Sequence, residues 1–77
     1  MDWRREAILT ANLLAERIGE QGRYEACAGS DGSRRYLHIY DLVAGDTKLS
    51  LSAPTYHDLY LAAQFALNVH RMIERGF

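Results

Sequence analysis

Cysteine is almost missing from the sequence, which contains only Cys27. A single thiol cannot form an internal disulfide, and the three histidines are too scattered along the chain to form a zinc site with it. We therefore expect neither a metal nor another cofactor. A domain of 77 residues lies near the lower limit of what folds without a disulfide or a bound metal. Association with a second chain would therefore add stability.

Long apolar runs and an excess of basic charge are also missing. No segment approaches the roughly 18 apolar residues of a membrane span, and charges interrupt the N-terminal stretch MDWRREAIL where a signal peptide would be apolar. The net charge of −1 supplies no overall basic field for nucleic acid. Together with the single cysteine, these features predict a cytoplasmic protein that does not enter a membrane.

Helical periodicity occupies both ends of the chain. Apolar residues recur at i, i+3 and i+4 spacing over residues 2–19 and 56–75, and Asp2 and Thr55 can cap the two helices. The predicted core face of the first helix contains Ala7, Ile8, Ala11, Leu14, Ala15 and Ile18. The predicted core face of the second helix contains Leu59, Ala62, Phe65, Ala66, Val69, Met72 and Ile73.

Alternating segments between the helices predict three strands, over residues 23–28, 34–42 and 46–52. The turns GSDGS and VAG join them into hairpins, which makes a three-stranded antiparallel meander. The order is α-β-β-β-α, and both helices can bury their apolar faces on one side of the sheet. We therefore predict a single small α+β domain over residues 1–77 whose sheet has one open face.

Turn lengths predict which residues face each other across the strands. A four-residue turn over residues 30–33 would place Cys27 opposite Tyr36 and Glu25 opposite His38. The VAG loop would pair residue 42 with 46, 40 with 48, 39 with 49, 38 with 50, 37 with 51 and 36 with 52. In the first hairpin, a slip by one residue would reverse the faces of the first strand, so that register stays open.

The open side of the sheet is one candidate contact surface, which we call the sheet face. It is predicted to contain Arg34, Tyr36, His38, Tyr40 and Lys48. Tyrosine and arginine are enriched at binding hot spots, and aromatic residues on a sheet can stack on bases. Tyrosine also favours strands for structural reasons alone. The alternative interpretation is therefore a partly solvated sheet surface without a binding role.

Apolar residues outside the predicted core faces form a second candidate surface, the helix stripes. They are Leu9 and Leu13 on the first helix and Tyr56, Tyr60 and Leu67 on the second. Single exposed leucines are common. Apolar sets on both helices instead predict a patch for self-association or for a protein partner.

His38 is the residue that most invites a catalytic interpretation. Glu25 could orient its imidazole, and Cys27 could act as a nucleophile. However, Cys27 stands between two alanines, where an inert packed thiol is usual, and no oxyanion-stabilising loop is evident. We predict no catalytic residue and no enzyme, with a His38-dependent small nuclease as the remaining catalytic alternative.

The α-β-β-β-α order resembles that of double-stranded-RNA-binding domains and of the HicA-type toxin ribonucleases. The resemblance covers the element order of the whole chain and no motif. The last helix begins TYHDLYLAAQ where the RNA-binding domains have lysines, and GSRR enters the second strand where the toxins have glycine, serine and histidine. The resemblance implies nucleic-acid binding, here through the sheet face, as an alternative function.

The sequence favours a small non-catalytic binding protein, such as a regulator, an adaptor or an inhibitor. It would act through protein–protein contacts as a homodimer, since the helix stripes predict self-association. Phages and mobile elements encode many chains of this size and style.

Overall fold

A computed structural model of the chain describes residues 1–20 and 22–76. The elements are α1 (Trp3–Ile18), β1 (Tyr24–Asp31), β2 (Arg34–Asp41), β3 (Asp46–Ala53) and α2 (Tyr56–Glu74). The strands form one antiparallel sheet in the order β1-β2-β3. The predicted α+β architecture is confirmed.

The core lies between one face of the sheet and the two helices. Alternate residues of the strands, including Ala26, Leu37 and Ile39, are buried together with apolar residues of α1 and α2. The side chains between them project from the opposite face, which no helix covers. One covered face and one open face are typical of an antiparallel sheet with alternating sequence.

Side chains cap both helices as predicted. Asp2 Oδ1 accepts a hydrogen bond from the N–H of Arg5 at 3.1 Å, and Thr55 Oγ1 accepts one from the N–H of Asp58 at 3.1 Å. Each bond satisfies one of the backbone donors that a helix leaves free at its N-terminus. The caps explain why α1 and α2 begin where they do.

The two helices run parallel, side by side on the sheet. At their N-terminal ends the ring centroids of Trp3 and Tyr60 lie 5.1 Å apart. At their C-terminal ends Arg17 forms an ion pair with Glu74. Both helices therefore start at the same end of the domain.

α2 turns a different face to the core from the predicted one. Leu67, predicted to be a surface residue, is 1% exposed, whereas Phe65, predicted for the core, is 72% exposed. Leu59 and Ala63 are also fully buried, and Ile73 is exposed. The helix is thus rotated by about one residue, roughly 100°, from the predicted orientation.

The rotation of α2 follows from the shape of α1. Alanines at i+4 spacing form a smooth buried ridge on α1, namely Ala7, Ala11 and Ala15. Small side chains let the two helix backbones approach closely, and a ridge with the same i+4 spacing on α2 packs against them. That ridge consists of Leu59, Ala63 and Leu67.

The first hairpin has a tighter turn than predicted. Two residues, Gly32–Ser33, join β1 to β2, and Gly32 has a φ of +60°. Glycine with positive φ at the first turn position is typical of a type II′ turn, whose twist matches paired strands. The register is shifted by two residues, so each side chain keeps its predicted face. Cys27 now lies opposite His38 rather than Tyr36.

The second hairpin follows the predicted register over residues 36–39 and then departs from it. Tyr40 pairs with Thr47, so Lys48 is the extra residue of a β-bulge. Residues 41 and 46 form the last pair, and the loop between them has four residues instead of three. Gly45, with a φ of +75°, closes this loop.

Asp41 fixes the same loop from within. Its side chain is buried, and Oδ1 accepts hydrogen bonds from the N–H groups of Val43 and Ala44 at 3.0 Å each. Arg23 Nη2 donates to Asp41 Oδ2 at 3.0 Å and Arg23 Nε donates to Oδ1 at 3.3 Å. The hydrogen bond from Arg23, followed by those of the backbone, lowers the pKa of Asp41 to about 2.

The orientation of α2 can be tested with two leucines of the same helix. Leu67→Ala should lower the free energy of unfolding by about 2–5 kcal/mol, because it opens a cavity between the helices. Leu61→Ala removes the same atoms from a half-exposed residue and, in chains dilute enough to be monomeric, should cost less than about 1 kcal/mol. Urea unfolding followed by circular dichroism measures both. The reverse ranking would contradict the packing of α2.

Asp41 predicts how stability depends on pH. Because its pKa is lower in the folded chain, its contribution is fully present above the ordinary carboxyl value of about 4. The contribution is lost as the pH falls through about 2. Asp41→Asn should lower the melting temperature at pH 7, and the deficit should shrink below pH 4. Asp46→Asn, at an exposed carboxylate, should show little deficit. A deficit of Asp41→Asn that is equal at pH 7 and pH 2 would contradict this role.

Candidate functional site

The sheet face lies on the open side of the sheet. Tyr36, His38 and Tyr40 project from the central strand β2, and the rings of Tyr36 and His38 are nearly parallel, at 7°, with centroids 6.0 Å apart. Arg34 and His38 each share a hydrogen bond of 3.0 Å with a serine of β3. The structure thus brings these four predicted residues together on one surface.

Lys48, also predicted for the sheet face, is exposed at an irregular position of β3. It is the extra residue of the β-bulge, and a bulge interrupts the alternation of side chains along a strand. Lys48 lines a groove beside the helices, together with its neighbour Leu49. Strict alternation cannot place an unpaired residue, so the assignment of Lys48 to the sheet face stays a prediction.

Cys27, His38 and Ser50 occupy one row across the three strands of the open face. The grooves that lie beside the helices include none of these three residues. Glu25 lies opposite Tyr40 rather than His38. The predicted cross-strand pairing of Glu25 with His38 is therefore not formed, and the row lies outside those grooves.

The helix stripes divide into an exposed and a buried part. Leu9 and Leu13 are about half exposed on α1, as predicted. Leu67 belongs to the core, so the prediction that it forms a contact surface is wrong. Tyr56 and Tyr60 are partly buried and pack against that core. On α2 the predicted stripe is therefore the inner face of the helix.

Tyr56 and Tyr60 belong to an aromatic and basic cluster at the shared N-terminal end of the helices. The ring of Trp3 packs on Tyr60 and lies 4.3 Å from the ring of His57. The guanidinium of Arg35 lies 5.6 Å from the ring centroid of Tyr56. Sequence reasoning missed Arg35, although its alternation with Leu37 and Ile39 on β2 places it on the covered face. The cluster joins the starts of α1 and α2 to the sheet.

A large apolar surface lies on the outer side of α2. Its members are long apolar side chains that are between 37% and 72% exposed. We call them the α2 strip: Leu61, Phe65, Val69, Met72 and Ile73. Sequence reasoning assigned all but Leu61 to the core, and the alanine ridge of α1 is the signal that could have corrected it.

A groove runs from the α2 strip to the edge strand β3. It is lined by Leu14, Ile18, Lys48, Leu49, Phe65, Ala66, Val69, His70 and Ile73. The strip and the outer edge of β3 therefore form one continuous surface, which we call the α2–β3 flank.

The middle of the α2–β3 flank is almost free of charge, and among the residues that line its groove Lys48 alone is formally charged. From Leu49 to His70 the sequence contains one formally charged side chain, Asp58, although charged residues make up 25% of the chain. Depletion of charge around exposed aromatic and aliphatic side chains is typical of the centre of a protein–protein interface. Large apolar patches on small domains mark the same kind of site.

The two edges of the sheet differ in what covers them. On β1, Asn12 Oδ1 accepts a hydrogen bond from the N–H of Ala26 at 3.2 Å, and Arg4 donates a hydrogen bond to the carbonyl oxygen of Ala28 at 3.1 Å. α1 thereby occupies outward backbone groups of β1. Among residues 1–20 and 22–76, no side chain bonds to the backbone of residues 49–53 on β3. An uncovered edge of this kind is a template for pairing with another strand.

Neither α1 nor α2 combines the length and the apolar character that crossing a membrane requires. Within the described part of the chain, no three histidine, cysteine, aspartate or glutamate side chains come together in a way that could hold a metal ion. Comparisons with protein families, with curated proteins and with solved structures give no match.

Proposed function

We propose that the chain is a small non-catalytic binding protein that acts through protein–protein contacts at the α2–β3 flank. The observation that carries the proposal is the exposure of Phe65, 72%, in the middle of the α2 strip. Full burial of one such side chain is worth about 1.5–3 kcal/mol relative to its exposure. A partner that covers the strip therefore gains much of its binding free energy from the hydrophobic effect.

The chemistry of the flank also defines what kind of surface fits it. Lys48 is the one formal cation among the residues that line the groove, which is too little to neutralise several phosphates, so nucleic acids and anionic lipids are poor partners for the flank. An uncharged apolar surface with free backbone groups suits another polypeptide. A regulator, an adaptor or an inhibitor works in this way, by occupying the surface of another protein.

The cytoplasm is the compartment that we propose. Cys27 is a free and exposed thiol. An exposed thiol persists in a reducing compartment, whereas an oxidising one promotes intermolecular disulfides.

Photo-crosslinking tests whether a polypeptide covers the flank. With benzoylphenylalanine at position 65, in cells that produce the chain, we expect a crosslink to a polypeptide, identified by mass spectrometry. The aromatic substitute keeps the ring of Phe65, so the contact should be retained. Position 13 is the matched control, because Leu13 is an exposed apolar residue on the other helix. No crosslink at position 65, or equal crosslinking at both positions, would overturn the proposal.

Nucleic-acid binding through the sheet face is a second candidate function. The observation in its favour is the row of aromatic side chains on β2, with the parallel rings of Tyr36 and His38. Rings on an open sheet can stack on the bases of single-stranded RNA. Arg34 adds one positive charge, but Glu25 and Asp31 project from the same face. The face therefore has little electrostatic attraction for phosphates.

Binding of labelled single-stranded RNA, followed by fluorescence anisotropy, tests this candidate. If the sheet face binds, Tyr36→Ala should weaken the affinity by about 1–3 kcal/mol through the loss of one stacking contact. Leu13→Ala, on the other side of the molecule, should leave it unchanged. Binding should also weaken steeply with salt. A constant anisotropy with RNA and with DNA at low salt would exclude the candidate.

A further inference from the structure

We infer that the polypeptide covering the α2–β3 flank is a second copy of this chain, with the two β3 strands paired antiparallel about a two-fold axis. The inference rests on the proposed function and names the partner. A two-fold contact places a surface against its own copy, so the surface must be complementary to itself. Self-complementarity sets three conditions, which concern the charge of the surface, its free backbone groups and its area. The α2–β3 flank meets all three.

Charge is the first condition. In a two-fold contact a patch faces a copy of itself, so a patch with net charge repels itself. The stretch from Leu49 to His70 has one formal charge, at Asp58, which is in the first turn of α2. Lys48 lies just outside residues 49–53, the segment that would pair, so its two copies would lie at opposite ends of the paired strands and would not face each other.

The backbone of β3 is the second condition. The bulge at Lys48 precedes residues 49–53, and Pro54 follows them. These five residues therefore form a regular strand segment. Pairing of β1 is excluded where Asn12 and Arg4 already occupy its edge. β3 has no such cover among the described residues, so sheet extension is open on this side of the domain.

The alternation along β3 restricts the pairing register to axes that pass through a residue. Residues directly opposite each other in an antiparallel pair project to the same face. An axis at Leu51, the centre of the segment, places Leu49 of one copy opposite Ala53 of the other on the helix side. It places Ser50 of one copy opposite Ser52 of the other on the open side. Apolar residues then meet apolar residues, and hydroxyls meet hydroxyls.

The area of the flank is the third condition. If a large apolar side chain presents on the order of 200 Å² when fully exposed, the α2 strip leaves on the order of 500 Å² in water. A stable interface buries about 800 Å² on each partner. Phe65, Val69 and Ile73 line the same groove as Leu49, so one contact along β3 covers both the strip and the strand edge. Together they approach the area that a stable dimer needs.

Pairing of β3 has a structural consequence for the sheet face. The two sheets become one sheet of six strands, and the open faces of both copies join on one side. The aromatic rows of the two β2 strands then belong to a single surface of twice the width.

Sedimentation equilibrium on the purified chain tests whether two copies form a dimer. We expect a mass of twice 8.8 kDa at high concentration and dissociation on dilution. Phe65→Glu should raise the dissociation constant more than about tenfold, because it places a carboxylate in the contact. Phe65 is exposed, so the variant should fold, which circular dichroism checks. Leu13→Glu is the matched control on α1 and should leave the dissociation constant unchanged.

Amide hydrogen exchange distinguishes strand pairing from association through the helices alone. Outward amides within residues 49–53 should gain protection as the concentration rises. Amides on the outer edge of β1 should not respond. A dimer without concentration-dependent protection of β3 would overturn the inferred pairing.

The outcomes separate this inference from the proposed function. In one outcome the purified chain stays monomeric at millimolar concentration, but position 65 still crosslinks to a different polypeptide in cells. That outcome contradicts the inferred dimer and leaves the proposed function standing. A monomeric chain without any crosslink at position 65 overturns both.

Discussion

The packing of α2 against the alanine ridge of α1 determines the surface of this protein. Ala7, Ala11 and Ala15 accept a single ridge of α2, and that ridge ends in Leu67. Since α2 is apolar around much of its circumference, burial of one side leaves the other apolar side in water. The exposed α2 strip is therefore a direct consequence of helix packing. It is also the feature on which the proposed function depends.

The sheet adds a matching asymmetry between its edges. α1 reaches over β1 with Asn12 and Arg4 and occupies backbone groups there. α2 leaves the side of β3 open, and the groove beneath it connects Leu49 with the strip. A single flank therefore combines apolar side chains, free backbone groups and a centre with little charge, which is what another polypeptide can use.

Local signals in the sequence predict the elements well and their mutual arrangement less well. The caps at Asp2 and Thr55 and the alternation of the strands define the order α-β-β-β-α and the two faces of the sheet. A bulge leaves no trace in that alternation, so the alternation cannot place Lys48. Two adjacent apolar stripes on α2 are equivalent by periodicity, and the neighbouring helix chooses between them. That choice reverses the roles of Leu67 and Phe65.

The most direct measurement is an isotope-filtered nuclear Overhauser experiment on a mixture of labelled and unlabelled chains. It detects only those contacts that join two different molecules. The account predicts signals between the ring of Phe65 in one copy and the methyl groups of Leu49 or Leu51 in the other. Intermolecular signals confined to Leu9 and Leu13 would contradict it. Their complete absence at millimolar concentration would contradict it as well.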